Sequence, residues 1–131
     1  MINALIPARA GSKRVKNKNI IDVGGHPLIA YTIVACKLSQ KVNRVIVSTE
    51  CSEIASISRK YGAEVPFMRP SIHSQDHSSD RGFLEHFFEE VDCNKVLLMR
   101  PTSPLRNPSL LSEIVEKYSN LGTQALLKIF K

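Results

Sequence analysis

The sequence predicts a doubly wound α/β fold, a mainly parallel sheet with helices on both faces. Short apolar or β-branched runs recur along the chain, at 2–6 (INALI), 44–48 (RVIVS), 95–99 (KVLLM) and 123–130 (TQALLKIF). Helix-length segments with apolar residues at helical spacing stand between them. Polar, unusual loops follow Ile6, Ser48 and Met99, at the ends of three of those strands. In sheets of this kind the ligand sits beyond the carboxyl ends of the strands, so these three loops are where function is sought.

Each element has its own warrant. The run 2–6 ends at Pro7 and reads as a buried strand, and 8–19 is a polar, basic loop containing Gly11. After Gly24 and Gly25, the segment LIAYTIVACKL is a largely apolar helix, with Pro27 suited to its first turn. Val45, Ile46 and Val47 favour a pleated strand. Glu53 to Tyr61 reads as a helix with Ile54, Ile57 and Tyr61 on one face and Gly62 as its stop. Residues 63–67 read as a short strand near a sheet edge, because Pro66 cannot donate to a ladder. Asp80 caps a helix whose Leu84, Phe87, Phe88 and Val91 form an apolar stripe. Residues 95–99 form a buried strand closed by Pro101, and Pro108 opens a helix carrying Leu110, Leu111, Ile114, Val115 and Tyr118. Tyr31, Phe87 and Phe88 read as core.

The bulk numbers fit one domain over 1–131: the chain has 131 residues, 43% of them hydrophobic and 23% charged. No apolar run approaches the ~18 residues that span a membrane. The first residues place apolar before basic, the reverse of a signal peptide, which points to a cytoplasmic protein. Cys36, Cys51 and Cys93 form no CxxC and no Cys/His spacing, so reduced thiols and no metal site are expected. His73 and His77 read as loop residues without an HExxH pattern. The last strand-like segment is followed by nothing to cover it, which reads as the N-terminal part of a longer, C-terminally incomplete architecture.

Charge is the sharper signal. The net charge is +6, and Arg9, Lys13, Arg14, Lys16 and Lys18 all precede the first acid, Asp22. Such a cluster predicts an anionic partner, either nucleic acid or a nucleoside triphosphate. Arg9 can fork onto phosphate oxygens, Lys13 and Lys18 add point charges, and Ser12 adds a hydroxyl donor. Gly11 can take positive φ and so let backbone N–H groups face an anion. Fixed positive groups also stabilise a leaving pyrophosphate. Neither GxxxxGK[ST] nor GxGxxG is present. Charge alone favours a solvated basic loop; the position directly after a strand favours a phosphate site. The loop has no aromatic residue on which bases would stack, which counts against nucleic acid.

The strings IPARAGSKR, KNI, GGHPLIAYTI, VIVST, YGAEVPFMRP and RPTSPLR, in this order and spacing, resemble the acylneuraminate cytidylyltransferase family over essentially the whole chain. The resemblance implies a Rossmann-like nucleotide-diphospho-sugar transferase fold. It implies a reaction in which CTP and an acidic nine-carbon 2-keto sugar give a CMP-sugar and pyrophosphate, with Mg²⁺ as cofactor. For a chain of the family's full length it also implies a homodimer. Lys18 and Asn19 point to this branch rather than to 3-deoxy-octulosonate activation, whose first loop usually has Pro after its lysine.

Residue by residue, the resemblance assigns Arg9 and Lys18 to catalysis at the triphosphate, with Lys18 steadying the α-phosphate. Ala8, Ala10, Gly11, Ser12 and Lys13 form the phosphate loop, and Asn19 helps hold the nucleotide. Arg69 reaches the cytidine side, Asp76 matches an aspartate seven residues on, and Thr102 and Ser103 belong to the PTSPLR turn. Taken singly, several have simpler readings: Arg69 and Arg106 as surface arginines, Thr102 and Ser103 as helix caps, Ser48 and Thr49 as a strand end, Asp76 as a turn residue.

The departures are Arg100 where the family usually has Gln, a binding residue that changes the sugar accepted or adds a carboxylate or phosphate contact, Ala10 for a glycine, and Asp80 for a serine. The family's C-terminal portion, with its metal-binding aspartates, has no counterpart here. Asp22, Glu50, Asp76 and Asp80 make no obvious carboxylate pair for Mg²⁺. The alternative reading is therefore a non-catalytic CTP-binding remnant or paralogue. A basic nucleic-acid-binding domain ranks last.

Overall fold

The computed structural model describes residues 2–11, 18–70, 80–93, 96–101 and 126–129. In chain order these form β1 (Ile2–Pro7), a 3-10 turn (Lys18–Ile20), β2 (Asp22–Val23), β3 (His26–Pro27), α1 (Leu28–Leu38), β4 (Val42–Ser48), α2 (Ser52–Lys60), α3 (Asp80–Glu90), β5 (Val96–Met99) and β6 (Leu126–Ile129). Ser12, Lys13, His73, Asp76, His77, Thr102, Ser103, Arg106 and the helix expected after Pro108 lie outside the described residues.

The main sheet has the order β4-β1-β5-β6, and every neighbouring pair is parallel. The chain leaves β1 toward β4 on one side and reaches β5 on the other. The sheet therefore has its switch point between β1 and β5, where such folds open a crevice at the carboxyl edge.

Side-chain alternation on a pleated strand sorts the core into two layers. Ile2, Ala4 and Ile6 of β1, Val45 and Val47 of β4, and Leu97 and Met99 of β5 cluster with Ile29, Ile33 and Cys36 of α1 and Ile54 and Ala55 of α2. The intervening Leu5, Ile46, Val96 and Leu98 cluster with Phe83 and Phe87 of α3 and with Val91 directly after it. Helices on both faces are thus as the sequence predicts. Phe83 joins the buried stripe of α3, while Leu84 and Phe88 are only partly buried.

The structure corrects several boundaries. Pro27 is the cap that precedes α1 rather than a first-turn residue, at φ −64° and ψ 147°. The Leu28 N–H donates to the Ile21 carbonyl at 2.9 Å. Residues within the expected 8–19 loop include part of the 3-10 turn, which begins at Lys18. The antiparallel β2–β3 hairpin was not legible in the sequence. Its two-residue turn is Gly24-Gly25, with φ of 61° and 96°, and positive φ at both central residues suits the twist of a hairpin. Tyr31 is half-buried rather than core: its hydroxyl donates to the Val23 carbonyl and ties α1 to this hairpin. The helix at Asp80 starts on that residue itself.

The segment 63–67 is no strand. Only Glu64 bridges to Ile46, donating to the Val45 carbonyl at 2.8 Å and accepting from Val47 N–H at 2.9 Å. Pro66 lacks the N–H a longer ladder needs. At this edge the Arg44 guanidinium hydrogen-bonds the Glu64 carboxylate, at 2.7 Å for the shortest contact. That bond holds Glu64 below the usual carboxylate range and raises Arg44. Both side chains are substantially exposed, so the pair adds little stability.

α2 ends one residue earlier than the sequence suggests, at Lys60, with Tyr61 as its C-cap. Gly62 follows at φ 99°. Its N–H donates to the Arg59 carbonyl and that of Ala63 to the Ser58 carbonyl, both at 3.0 Å. This is the paired closure of a Schellman motif. A Cβ on Gly62 would also lie 2.9 Å from the Lys37 side chain. That chain can swing away, so the backbone conformation sets the cost. Gly62→Ala is expected to lower stability by about 1–2 kcal/mol, read as a fall in the urea midpoint at unchanged slope. No loss would mean the positive φ is absent in solution.

Among the described residues no helix is long and apolar enough to cross a membrane.

Candidate functional site

The carboxyl ends of β1, β4 and β5 lie side by side and present Ala8–Gly11, Ser48–Glu50 and Arg100–Pro101 along one edge. β1 and β4 run in register to their last pair, Pro7 and Ser48. The Ala8 N–H then donates to the Ser48 carbonyl at 2.9 Å, extending the ladder one step into the loop. Ala8 is buried and Arg9 and Ala10 are half-buried, whereas Gly11 is exposed.

The peptide between Arg9 and Ala10 is held at both ends. Its carbonyl accepts from Asn19 Nδ2 at 2.9 Å. Its N–H donates to the Glu50 carboxylate, at 3.1 and 3.3 Å from the two oxygens. Asn19 is buried in the 3-10 turn that also carries the exposed Lys18. One turn thus supplies a basic side chain to the surface and an amide to the loop backbone. Gly11 does not take the positive φ expected of it; among the described residues only Gly24, Gly25 and Gly62 do. An added Cβ at Gly11 would meet none of the described residues within 4 Å.

Arg69 is no surface arginine. It is 5% exposed. Its Nε donates to Ser48 Oγ at 3.0 Å and its Nη2 to the Ser48 carbonyl at 2.7 Å. Its backbone N–H donates to the Thr49 carbonyl at 2.9 Å, and its guanidinium carbon lies 5.0 Å from the centre of the Phe83 ring. The fork geometry of arginine lets one side chain satisfy both oxygens of one residue. Thr49 is fully buried, and its hydroxyl accepts the Cys51 N–H at 3.1 Å where the chain turns into α2. Arg100 follows β5 directly and is half-buried beside the buried Pro101.

The edge therefore brings together Ala8, Arg9, Ala10, Gly11, Asn19 and Arg69, with Lys18 on the same turn as Asn19 and Arg100 at the end of β5. Sequence reasoning gave no role to Glu50, and it gave Ser48 and Thr49 only the part of a strand end. Their hydrogen bonds make them parts of the site's scaffold. The signal available was an acid set directly after a strand end in a chain whose first loop is basic.

For Mg²⁺ the described residues offer a poor fit. No three His, Cys, Asp or Glu side chains among them converge, and Glu50 is turned onto a backbone N–H. Mg²⁺ is usually held by one or two carboxylates with substrate phosphates. No such pair stands at this edge among the described residues. Cys36, Cys51 and Cys93 are free thiols.

Comparison with known proteins agrees with this architecture. The chain is 40% identical over 130 residues to a CMP-N,N'-diacetyllegionaminic acid synthase of Legionella pneumophila, covering 92% of this chain and 54% of that protein. It is 37% identical to an N-acylneuraminate cytidylyltransferase of Escherichia coli, covering 92% and 29%, and 36% identical to a pseudaminic acid cytidylyltransferase of Campylobacter jejuni, covering 87% and 51%. The chain thus spans about half or less of the length of these curated relatives. A solved CMP:2-keto-3-deoxy-manno-octonic acid synthetase complexed with CTP superposes with a TM-score of 0.79 at 21% identity, over 91% of this chain and 47% of that one. A cytidylyltransferase from Leptospira borgpetersenii superposes at 0.70, also at 21% identity, over 92% and 50%. At that identity the two structures speak for the fold. The family model for cytidylyltransferases matches residues 3–130, and by that match the chain belongs to the cytidylyltransferase family.

Proposed function

We propose that the carboxyl edge binds CTP, and that the protein transfers CMP from CTP to an acidic 2-keto sugar of the acylneuraminate type, releasing pyrophosphate, in the cytoplasm. The observation that carries this reading is the basic loop set directly on the end of β1, beside the switch point, in a chain of the cytidylyltransferase family. The relatives named above act on legionaminic, acylneuraminic and pseudaminic acids, a set that shares an acidic nine-carbon frame.

In this reading a sugar hydroxyl attacks the α-phosphorus and the β,γ-pyrophosphate leaves with added charge. Arg9 and Lys18 meet that charge, and a positive group there stabilises the transition state more than the ground state. Ala8, Ala10, Gly11, Ser12 and Lys13 line the phosphates. Arg69 serves the cytidine side, Asn19 helps hold the nucleotide, Asp76, Thr102 and Ser103 belong to the same binding set, and Arg100 offers a cation to a carboxylate or phosphate group and so bears on the sugar accepted.

Calorimetric titration of the 131-residue chain with CTP, ATP and single-stranded RNA, with and without Mg²⁺, tests the binding half of the proposal. CTP is expected to bind more tightly than ATP. Arg9→Ala is expected to weaken CTP by on the order of 50-fold, the loss of charge-assisted phosphate contacts. RNA binding that falls steeply with salt, with no preference for CTP, would replace this reading with a nucleic-acid surface.

A further inference from the structure

We propose that Glu50 is a positioning residue for nucleotide binding: together with Asn19 it clamps the single peptide unit between Arg9 and Ala10 and so fixes the start of the loop, Arg9 to Gly11, before any nucleotide arrives. The inference rests on the CTP-binding reading above, but its first test does not.

The geometry is specific to one peptide plane. The Arg9 carbonyl is taken by Asn19 Nδ2 at 2.9 Å, and the Ala10 N–H by both oxygens of Glu50 at 3.1 and 3.3 Å. A peptide unit is planar, so fixing its oxygen and its N–H from opposite sides fixes its rotation about the chain. That rotation sets the ψ of Arg9 and the φ of Ala10, and with them the course the chain takes from Arg9 to Gly11 into the loop. Both clamping side chains are themselves held. Asn19 is buried at 7% exposure. Glu50 follows Thr49, which is fully buried and hydrogen-bonded to Cys51, and Ser48, which Arg69 braces.

A carboxylate beside a phosphate site is otherwise an electrostatic handicap, because it repels the ligand. Simple charge reasoning therefore says that removing Glu50 tightens CTP. The clamp says the opposite for a substitution that removes the acceptor, and no loss for one that keeps it. Glu50→Gln retains an oxygen that can accept the Ala10 N–H while shedding the charge. Glu50→Ala sheds both. A loop that must be ordered at the moment of binding costs affinity, and a loop held beforehand does not.

The first measurement uses the nucleotide-free 131-residue chain. Amide hydrogen exchange at Ala10 is expected to be slow in the parent, at least tenfold faster in Glu50→Ala, and restored in Glu50→Gln, with amides of β1 and β5 unchanged. The second is CTP titration at equal folded fraction. Glu50→Ala is expected to bind about tenfold more weakly, and Glu50→Gln as tightly as the parent or more so. Asn19→Ala combined with Glu50→Ala should cost less than the sum of the two, since the clamp is lost once. Parent-like exchange at Ala10 in Glu50→Ala overturns the clamp, as does CTP binding in that variant equal to or tighter than in the parent. If the parent fails to bind CTP at all, the CTP reading falls instead, and the exchange data still decide whether the clamp exists.

Discussion

Phe87→Ala is expected to lower the unfolding free energy by about 4 kcal/mol. Phe87 is fully buried and lies in the layer that joins α3 to the sheet, with Leu5, Ile46, Val96 and Leu98 beneath it. Its ring stands edge-to-face against Phe88 at 5.3 Å between centroids, and against Phe67 at 6.4 Å. The substitution removes the ring's transfer free energy and leaves a cavity that four strand residues and two aromatic rings would have to close. The backbone beneath is a parallel sheet hydrogen-bonded on both sides of β1, so it cannot collapse into the space. A domain of this size has roughly 5–15 kcal/mol in total, so the variant should be partly unfolded well below the parent's melting temperature. Phe87→Leu, which keeps much of the volume, should cost under about 1.5 kcal/mol. Urea unfolding followed by circular dichroism separates the cases. A loss below about 1 kcal/mol for the alanine variant would show that α3 is not packed on the sheet as described.

The same layer shows why the fold could be read from the sequence. Strands buried on both faces need apolar residues at every position, and β4 and β5 supply them as VIV and VLLM. The α3 stripe repeats at helical spacing because one side of that helix covers the sheet. What the sequence hid were elements without a periodic signal. Each strand of the β2–β3 hairpin has two residues, too few for an alternation to show. The bridge at Glu64 depends on meeting Ile46 inside β4 and on Pro66, not on the local run of β-formers.

The site divides along the same line. Its location was legible, because charge, a strand end and the switch point coincide at Arg9. The scaffolding was not, because it links residues far apart in sequence: Asn19 reaches 10 residues back to Arg9, Glu50 reaches 40 residues back to Ala10, and Arg69 reaches 21 residues back to Ser48. A side-chain amide or carboxylate aimed at a distant backbone atom leaves no mark on local composition. Gly11 illustrates the converse. Its place in a basic loop invited a reading of special backbone freedom that the structure does not use.

Arg69 carries the largest consequence of that hidden scaffold. Arg69→Met is expected to destabilise the chain by about 3 kcal/mol. Methionine keeps most of the stem volume and an apolar contact with Phe83, so the loss reports the guanidinium, its donors together with its charge over the Phe83 ring. Ser48 Oγ then stands buried without the Nε bond, and among the described residues the Ser48 carbonyl keeps only the Ala8 N–H. Arg69→Lys should recover only part of the stability, because one ammonium cannot present two donors in the planar fork that spans Ser48 Oγ and its carbonyl. The backbone bond from Arg69 to Thr49 survives both changes, so whatever is lost belongs to the side chain. The proposed nucleotide role adds a second readout. With Arg69 acting only as a brace, CTP affinity measured on the folded fraction would stay within a few-fold of the parent in Arg69→Lys, whose cation remains. With Arg69 also touching the nucleotide, affinity should fall on the order of tenfold even where the protein is fully folded. Thermal unfolding and CTP titration on the same samples distinguish the two, and parent-like stability in Arg69→Met would remove Arg69 from the scaffold altogether.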